Sequence, residues 1–142
     1  MREERGYRRL TLVAAAFVVG VLTVPSVAAA ADAPLIAAAK AGDAARVAAL
    51  LAEGADAEAA SPDGTTALHW AARAAAAEAV EHLLAVGADP TLANRYGITP
   101  LALAAGSGEP AVVGALLAAG ADPNTATPAG ETVLMVAART GR

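Results

Sequence analysis

Few side chains in this sequence are equipped for chemistry, and their spacing narrows the choice further. The 142-residue chain holds two histidines, His69 and His82, and no cysteine. The missing cysteines exclude a thiol nucleophile, a thiolate metal site, a disulfide framework and a lipoprotein anchor. Any base or metal site must then combine a histidine with carboxylates. His82 has Glu78 one helical turn earlier, a spacing that gives a surface hydrogen bond rather than a metal ligand set. Asp56, Glu58 and Asp63 bring carboxylates into one stretch, but not with the spacing of an EF-hand loop, so they read as solvated loop acids. Gly106-Ser107-Gly108-Glu109 lacks the lysine of a phosphate-binding loop, and no Gly-x-Ser-x-Gly elbow occurs. No nucleophile, base and orienting group can be assembled, so the expectation is a non-enzyme with no cofactor and no metal.

The elements that carry these residues follow from composition and period. Hydrophobic residues make up 56% of the chain but aromatics only 3%, and alanine fills the gap. Such a chain builds its core from close helix–helix contacts, because alanine favours helix and lets helices approach. A β-sandwich would need branched and aromatic strands. Leu35, Leu68, Leu101 and Leu134 recur every 33 residues, as do Ala38, Ala71, Ala104 and Ala137. Gly54, Gly87 and Gly120 keep the same interval, as do Gly64, Gly97 and Gly130. Several columns sharing one period without an insertion mean a solenoid.

Each column has a physical role. Thr66, Thr99 and Thr132 are expected N-caps, and Pro100 takes the first helical position, where its missing N–H costs nothing. Leu68, Ala71 and Ala72 share one helix face. Val80, Leu83 and Leu84, like Val113, Leu116 and Leu117, form the inner face of a second helix. Gly87 and Gly120 end those helices, and Asp89-Pro90 and Asp122-Pro123 lead to the next unit. The turn between helices holds Gly42, Gly108 and Gly141, but Ala75 in the second unit. If that position needs positive φ, alanine costs on the order of 1 kcal/mol there. Ser61, Asn94 and Thr127 are expected to make side-chain turns at the start of each hairpin.

The second unit, SPDGTTALHWAARAAAAEAVEHLLAVGADP, resembles the ankyrin repeat column by column. Ala67-Leu68-His69 stands for its Thr-Pro-Leu-His signature, Thr99-Pro100-Leu101 repeats the opening, and Gly87-Ala88-Asp89 and Gly120-Ala121-Asp122 match its close. The resemblance implies an all-α ankyrin-repeat solenoid: about three full repeats near 32–60, 61–93 and 94–126, and an incomplete fourth over 127–142. It implies that His69 bonds backbone between adjacent loops, and that Trp70, in a column with Ala37, Leu103 and Val136, packs between repeats.

The resemblance also implies that the chain binds a protein partner on hairpin tips and first helices. Carried over by position, the contact columns are Pro62, Asp63, Thr65, Arg73 and Ala74 in the second unit. The third unit gives Arg95, Tyr96, Ile98, Gly106 and Ser107, and the fourth gives Pro128, Ala129, Glu131, Arg139 and Thr140. Tyr96 with Ile98, flanked by Arg73, Arg95 and Arg139, has the chemistry of an anchor, since Tyr and Arg bury area and keep a polar handle. An arginine row on an acidic chain points to an acidic segment on the partner.

Residues 1–31 read as a signal peptide. Arg2, Arg5, Arg8 and Arg9 outnumber Glu3 and Glu4, an uncharged apolar run follows from Leu10 to Val24, and small residues surround the expected cleavage after Ala31. The alternative is an uncleaved membrane anchor. Without this segment, twelve acidic residues face six basic ones, a balance that excludes a nucleic-acid footprint and disfavours anionic membrane surfaces.

The first repeat lacks the Gly-x-Thr opening and reads as an N-terminal cap, with Lys40, Asp43, Arg46 and Glu53 as its polar outer face. The fourth has no second helix, so Val133, Leu134 and Val136 are expected to lack a partner on one side. Two functions remain open: an exported protein-binding module of the cell envelope, or the N-terminal recognition part of a longer exported protein whose effector or enzymatic domain lies beyond residue 142.

Overall fold

The computed structural model describes residues 34–141. The segment read as a signal peptide lies outside the described residues. Among them are seven helices: α1 over 34–41, α2 Ala44–Ala52, α3 Ala67–Arg73, α4 Ala77–Ala85, α5 Pro100–Ser107, α6 Pro110–Ala118 and α7 Val133–Thr140. Helix α3 packs on α5 and α5 on α7, while α2 packs on α4 and α4 on α6. The molecule is therefore two parallel rows of helices, inner (α3, α5, α7) and outer (α2, α4, α6), joined within each unit by α3–α4 and α5–α6 contacts.

The core is the expected set of columns. Leu35, Leu68 and Leu101 are at most 1% exposed, and Ala71 and Ala104 are fully buried. Burying each such leucine contributes about 1.5–3 kcal/mol, and the alanines let neighbouring units close up. In the outer row the register differs slightly from the expected one. Val80 and Leu83 are fully buried, but in α6 it is Val112 and Leu116 that are sealed, while Val113 is only half-buried and Leu117 is exposed. Val112 stands 33 residues after Ala79, also fully buried, and both belong to the contact between α4 and α6. Val113 and Leu117 turn towards the far end, where no described helix follows.

Local chemistry sets the helix ends. Thr99 Oγ1 accepts from the Ala102 N–H, and Thr132 Oγ1 from that of Met135. Thr66 forms a capping box with His69, an imidazole standing where a carboxylate is usual. The outer helices all end in the same motif: Ala55, Ala88 and Ala121 N–H donate to the carbonyls of Leu50, Leu83 and Leu116. These six-to-one bonds satisfy carbonyls at the helix end, and the three buried alanines supply the accompanying apolar contact. At the turn after α3, Ala75 is held at φ 58°, while Gly42, Gly108 and Gly141 take the equivalent conformation in the other units.

The hairpin tips close chiefly through backbone. The N–H groups of Ser61, Asn94 and Thr127 donate to the carbonyls of Thr65, Ile98 and Glu131, and their carbonyls accept from Gly64, Gly97 and Gly130. The expected side-chain turn forms at Asn94, whose Oδ1 accepts from the N–H groups of Tyr96 and Ile98. It does not form at Thr127, whose buried hydroxyl has no partner. There the backbone pair alone defines the turn, since a hydroxyl makes such bonds more weakly than an amide oxygen.

Candidate protein-binding face

The hairpin tips are tied into a row. The Arg95 N–H donates to the Asp63 carbonyl at 2.7 Å, and the Arg95 guanidinium donates to the Pro62 carbonyl at 3.0 Å. The Asn94 amide donates to Thr65 Oγ1. Gly97 lies so close to the third tip that a Cβ there would meet Pro128 Cγ at 2.7 Å. Beneath the tips, His69 is fully buried. Its Nδ1 accepts from the Thr66 N–H, which fixes the proton on Nε2, and Nε2 donates to the Ile98 carbonyl at 3.0 Å. Burial pushes its pKa below the ordinary 6.5, against the pull of the Ile98 carbonyl. The imidazole is thus neutral near pH 7 and welds two tips together, the structural role that its sequence position implied.

Some candidate residues are used up by this framework. Thr65 is buried, and both its N–H and its hydroxyl donate to the Asp63 carboxylate. Those bonds hold Asp63 below the usual carboxylate pKa. Both residues shape the tip rather than stand free for a partner. Ser107 turns its hydroxyl onto the Ala104 carbonyl, as a side chain in the last helical turn can.

Others are brought together. Tyr96, Ile98, Glu131 and Arg139 line a recess of about 410 Å³ whose floor includes Leu103 and Val136. Tyr96 is 56% exposed and Ile98 half-buried. The Arg139 guanidinium donates to Glu131 at 3.0 Å, and this is the one ion pair among the described residues. The expected arginine row around Tyr96 is therefore broken up. Arg139 is neutralised at the recess wall, Arg95 is held by Pro62, and Arg73 lies elsewhere.

Arg73 lies over Trp70, with its Cζ 5.8 Å from the ring centroid, and Lys40 Nζ approaches the same ring at 4.9 Å. Lys40, Trp70, Arg73 and Ala74 line a second recess of about 380 Å³. Trp70 is half-buried against the core rather than sealed between repeats, because its neighbour columns carry long cations that cover the ring. The indole N–H is enclosed and has no acceptor. Lys40 is not on the outer face of a cap: it precedes Arg73 by 33 residues and shares its direction. That spacing was a signal in the sequence, since Lys40, Arg73, Gly106 and Arg139 form one column.

The far end carries a third, apolar groove of about 480 Å³, lined by α6 and α7 residues including Val113, Leu117, Leu134 and Ala137. Leu134 is 76% exposed, while Val133 and Val136 are 9% and 8% exposed. The expected open side is thus confined to Leu134, Met135 and the groove; packing of α7 on α5 covers the two valines.

Among the described residues no group of three or more histidines and carboxylates could hold a metal ion, and no helix is long and apolar enough to cross a membrane. A search of curated proteins finds no match to the chain. The family model for ankyrin repeats in sets of three matches residues 21–94 and again 73–142, its first match beginning inside the segment read as a signal peptide. Ankyrin repeats are protein–protein interaction modules. With the period, the paired helix rows and the tip-to-tip bonding all in the same register, the chain belongs to the ankyrin-repeat family.

Proposed function

We propose that this chain is an exported protein-binding module of the cell envelope, which grips a partner on the face built from the hairpin tips and inner helices. The observation that carries this reading is the Tyr96 recess. An exposed tyrosine and a half-buried isoleucine stand over an apolar floor, on a framework fixed by the His69 and Arg95 bonds. A rigid surface with an aromatic anchor loses little entropy on binding. Affinity capture from an envelope extract, with the wild-type chain and Tyr96→Ala in parallel, tests it. The partner should be retained by the wild type and lost from the variant; equal retention contradicts the reading. Export is supported by the charged, apolar and small-residue order of residues 1–31. N-terminal sequencing should find Asp32 first, whereas an intact Met1 start on membrane-bound protein supports an anchored scaffold.

A second reading has its own support. Leu134 is 76% exposed, yet Leu101, its equivalent one unit earlier, is 1% exposed beside α6. An apolar face of this shape suits a further helix of the α4 and α6 kind. The array would then be the recognition part of a longer exported protein with an effector domain beyond residue 142. A gene product extending past Arg142 supports this reading, and a stop codon directly after it in independent isolates contradicts it.

A further inference from the structure

The Lys40–Trp70–Arg73 recess is unlike the rest of this acidic chain. Two cations, Lys40 and Arg73, stand over one indole at 4.9 and 5.8 Å from its centroid, and neither has a carboxylate partner among the described residues. Arg139 shows the contrast, because in the same column it is closed off by Glu131. Two like charges beside one ring repel each other, and an anion between them removes that repulsion. The ring fixes where both side chains lie, so a ligand need not order them from a free state.

We infer that this recess binds a carboxylate of an extended partner segment, and that the same segment places an apolar side chain in the Tyr96 recess. The inference rests on the binding function proposed above and specifies what the partner must present. The geometry sets the spacing. The cationic recess lies between α1 and α3 and the apolar one between α5 and α7, two helix spacings apart. At about 8–10 Å per spacing the two are roughly 16–20 Å apart. An extended chain advances about 3.3 Å per residue, so the acidic and apolar residues stand roughly five or six positions apart. The acidic residue comes from a protein segment rather than a free small anion, because one carboxylate between exposed cations is screened and weak, and the apolar contact supplies the remaining affinity.

A library of random displayed peptides, long enough to span both recesses, tests this on the full chain. The expected result is enrichment of sequences with Asp or Glu about five or six residues from a bulky apolar side chain. The acidic preference should vanish on a Lys40→Gln/Arg73→Gln variant, while the apolar preference persists. Both positions are exposed, so the variant should melt like the wild type. A selected peptide should perturb the emission of Trp70, the only tryptophan. Its Asn/Gln counterpart should bind roughly two- to fivefold more weakly, with the gap closing as salt rises. Enrichment without any acidic preference overturns the inference and leaves the binding function standing. Enrichment of no peptide at all contradicts both.

Discussion

His69 of the second repeat donates its Nε2–H to the Ile98 carbonyl at 3.0 Å, a bond across 29 residues of sequence that joins two neighbouring hairpin tips. His69 is fully buried, and the Ile98 carbonyl, which also accepts from the Asn94 N–H, would keep only that one donor without it. Replacing His69 with Ala strips the Thr66 N–H and the Ile98 carbonyl of a partner and opens a cavity. The expected loss is about 3 kcal/mol, read from urea unfolding. A loss under about 1 kcal/mol would mean that the tips are held by other bonds.

The same histidine gives the fold a pH dependence of definite sign. Its pKa is lowered in the folded state, so the unfolded chain takes up a proton first as the pH falls. The stabilisation is complete above 6.5 and declines as the pH drops below it. Unfolding free energies measured downwards from above pH 6.5 should fall for the wild type and change less for His69→Gln. Parallel curves for the two proteins would contradict this.

Ala75 holds a φ of 58° where Gly42, Gly108 and Gly141 serve in the other units. A left-handed alanine costs about 1–2 kcal/mol, and glycine loses about 1 kcal/mol of unfolded-state entropy in return. Ala75→Gly should therefore stabilise the chain by about 0.5 kcal/mol, seen as a small rise in Tm. A lowered Tm would show that the turn is not strained.

Leu101 and Leu134 occupy one column with opposite environments, 1% and 76% exposed. Leu101→Ala should cost about 2–5 kcal/mol and Leu134→Ala under about 0.5 kcal/mol in this chain. Comparable losses would mean that α7 is covered in solution.

Helices, caps and core were legible because they depend on residue type at a fixed interval. Thr99, Pro100 and Leu101 say where α5 starts and which side it buries, and the structure repeats that. The resemblance to the ankyrin signature implied that His69 sits between tips, and it does. The interval could not say which polar groups would consume each other. Thr65 and Asp63 occupy contact columns, yet they satisfy one another, and Arg139 meets Glu131; such pairings depend on rotamers and distances across a turn. Lys40 was misread as cap polarity, because it was grouped with Asp43, Arg46 and Glu53 of its own repeat, whereas its neighbour in space is Trp70. The shift from Val113 to Val112 came from end position, which a repeating pattern does not encode.

The central claim is that the tips and inner helices are the binding face. Amide chemical-shift mapping of the labelled chain, titrated with the captured partner, tests it most directly. The account predicts that shifts concentrate in α3, α5, α7 and the tips around Asp63, Tyr96 and Ala129, with Trp70 among the largest, while the solvent sides of α2, α4 and α6 stay unchanged. Shifts confined to the outer row or to the Leu134 groove would contradict it.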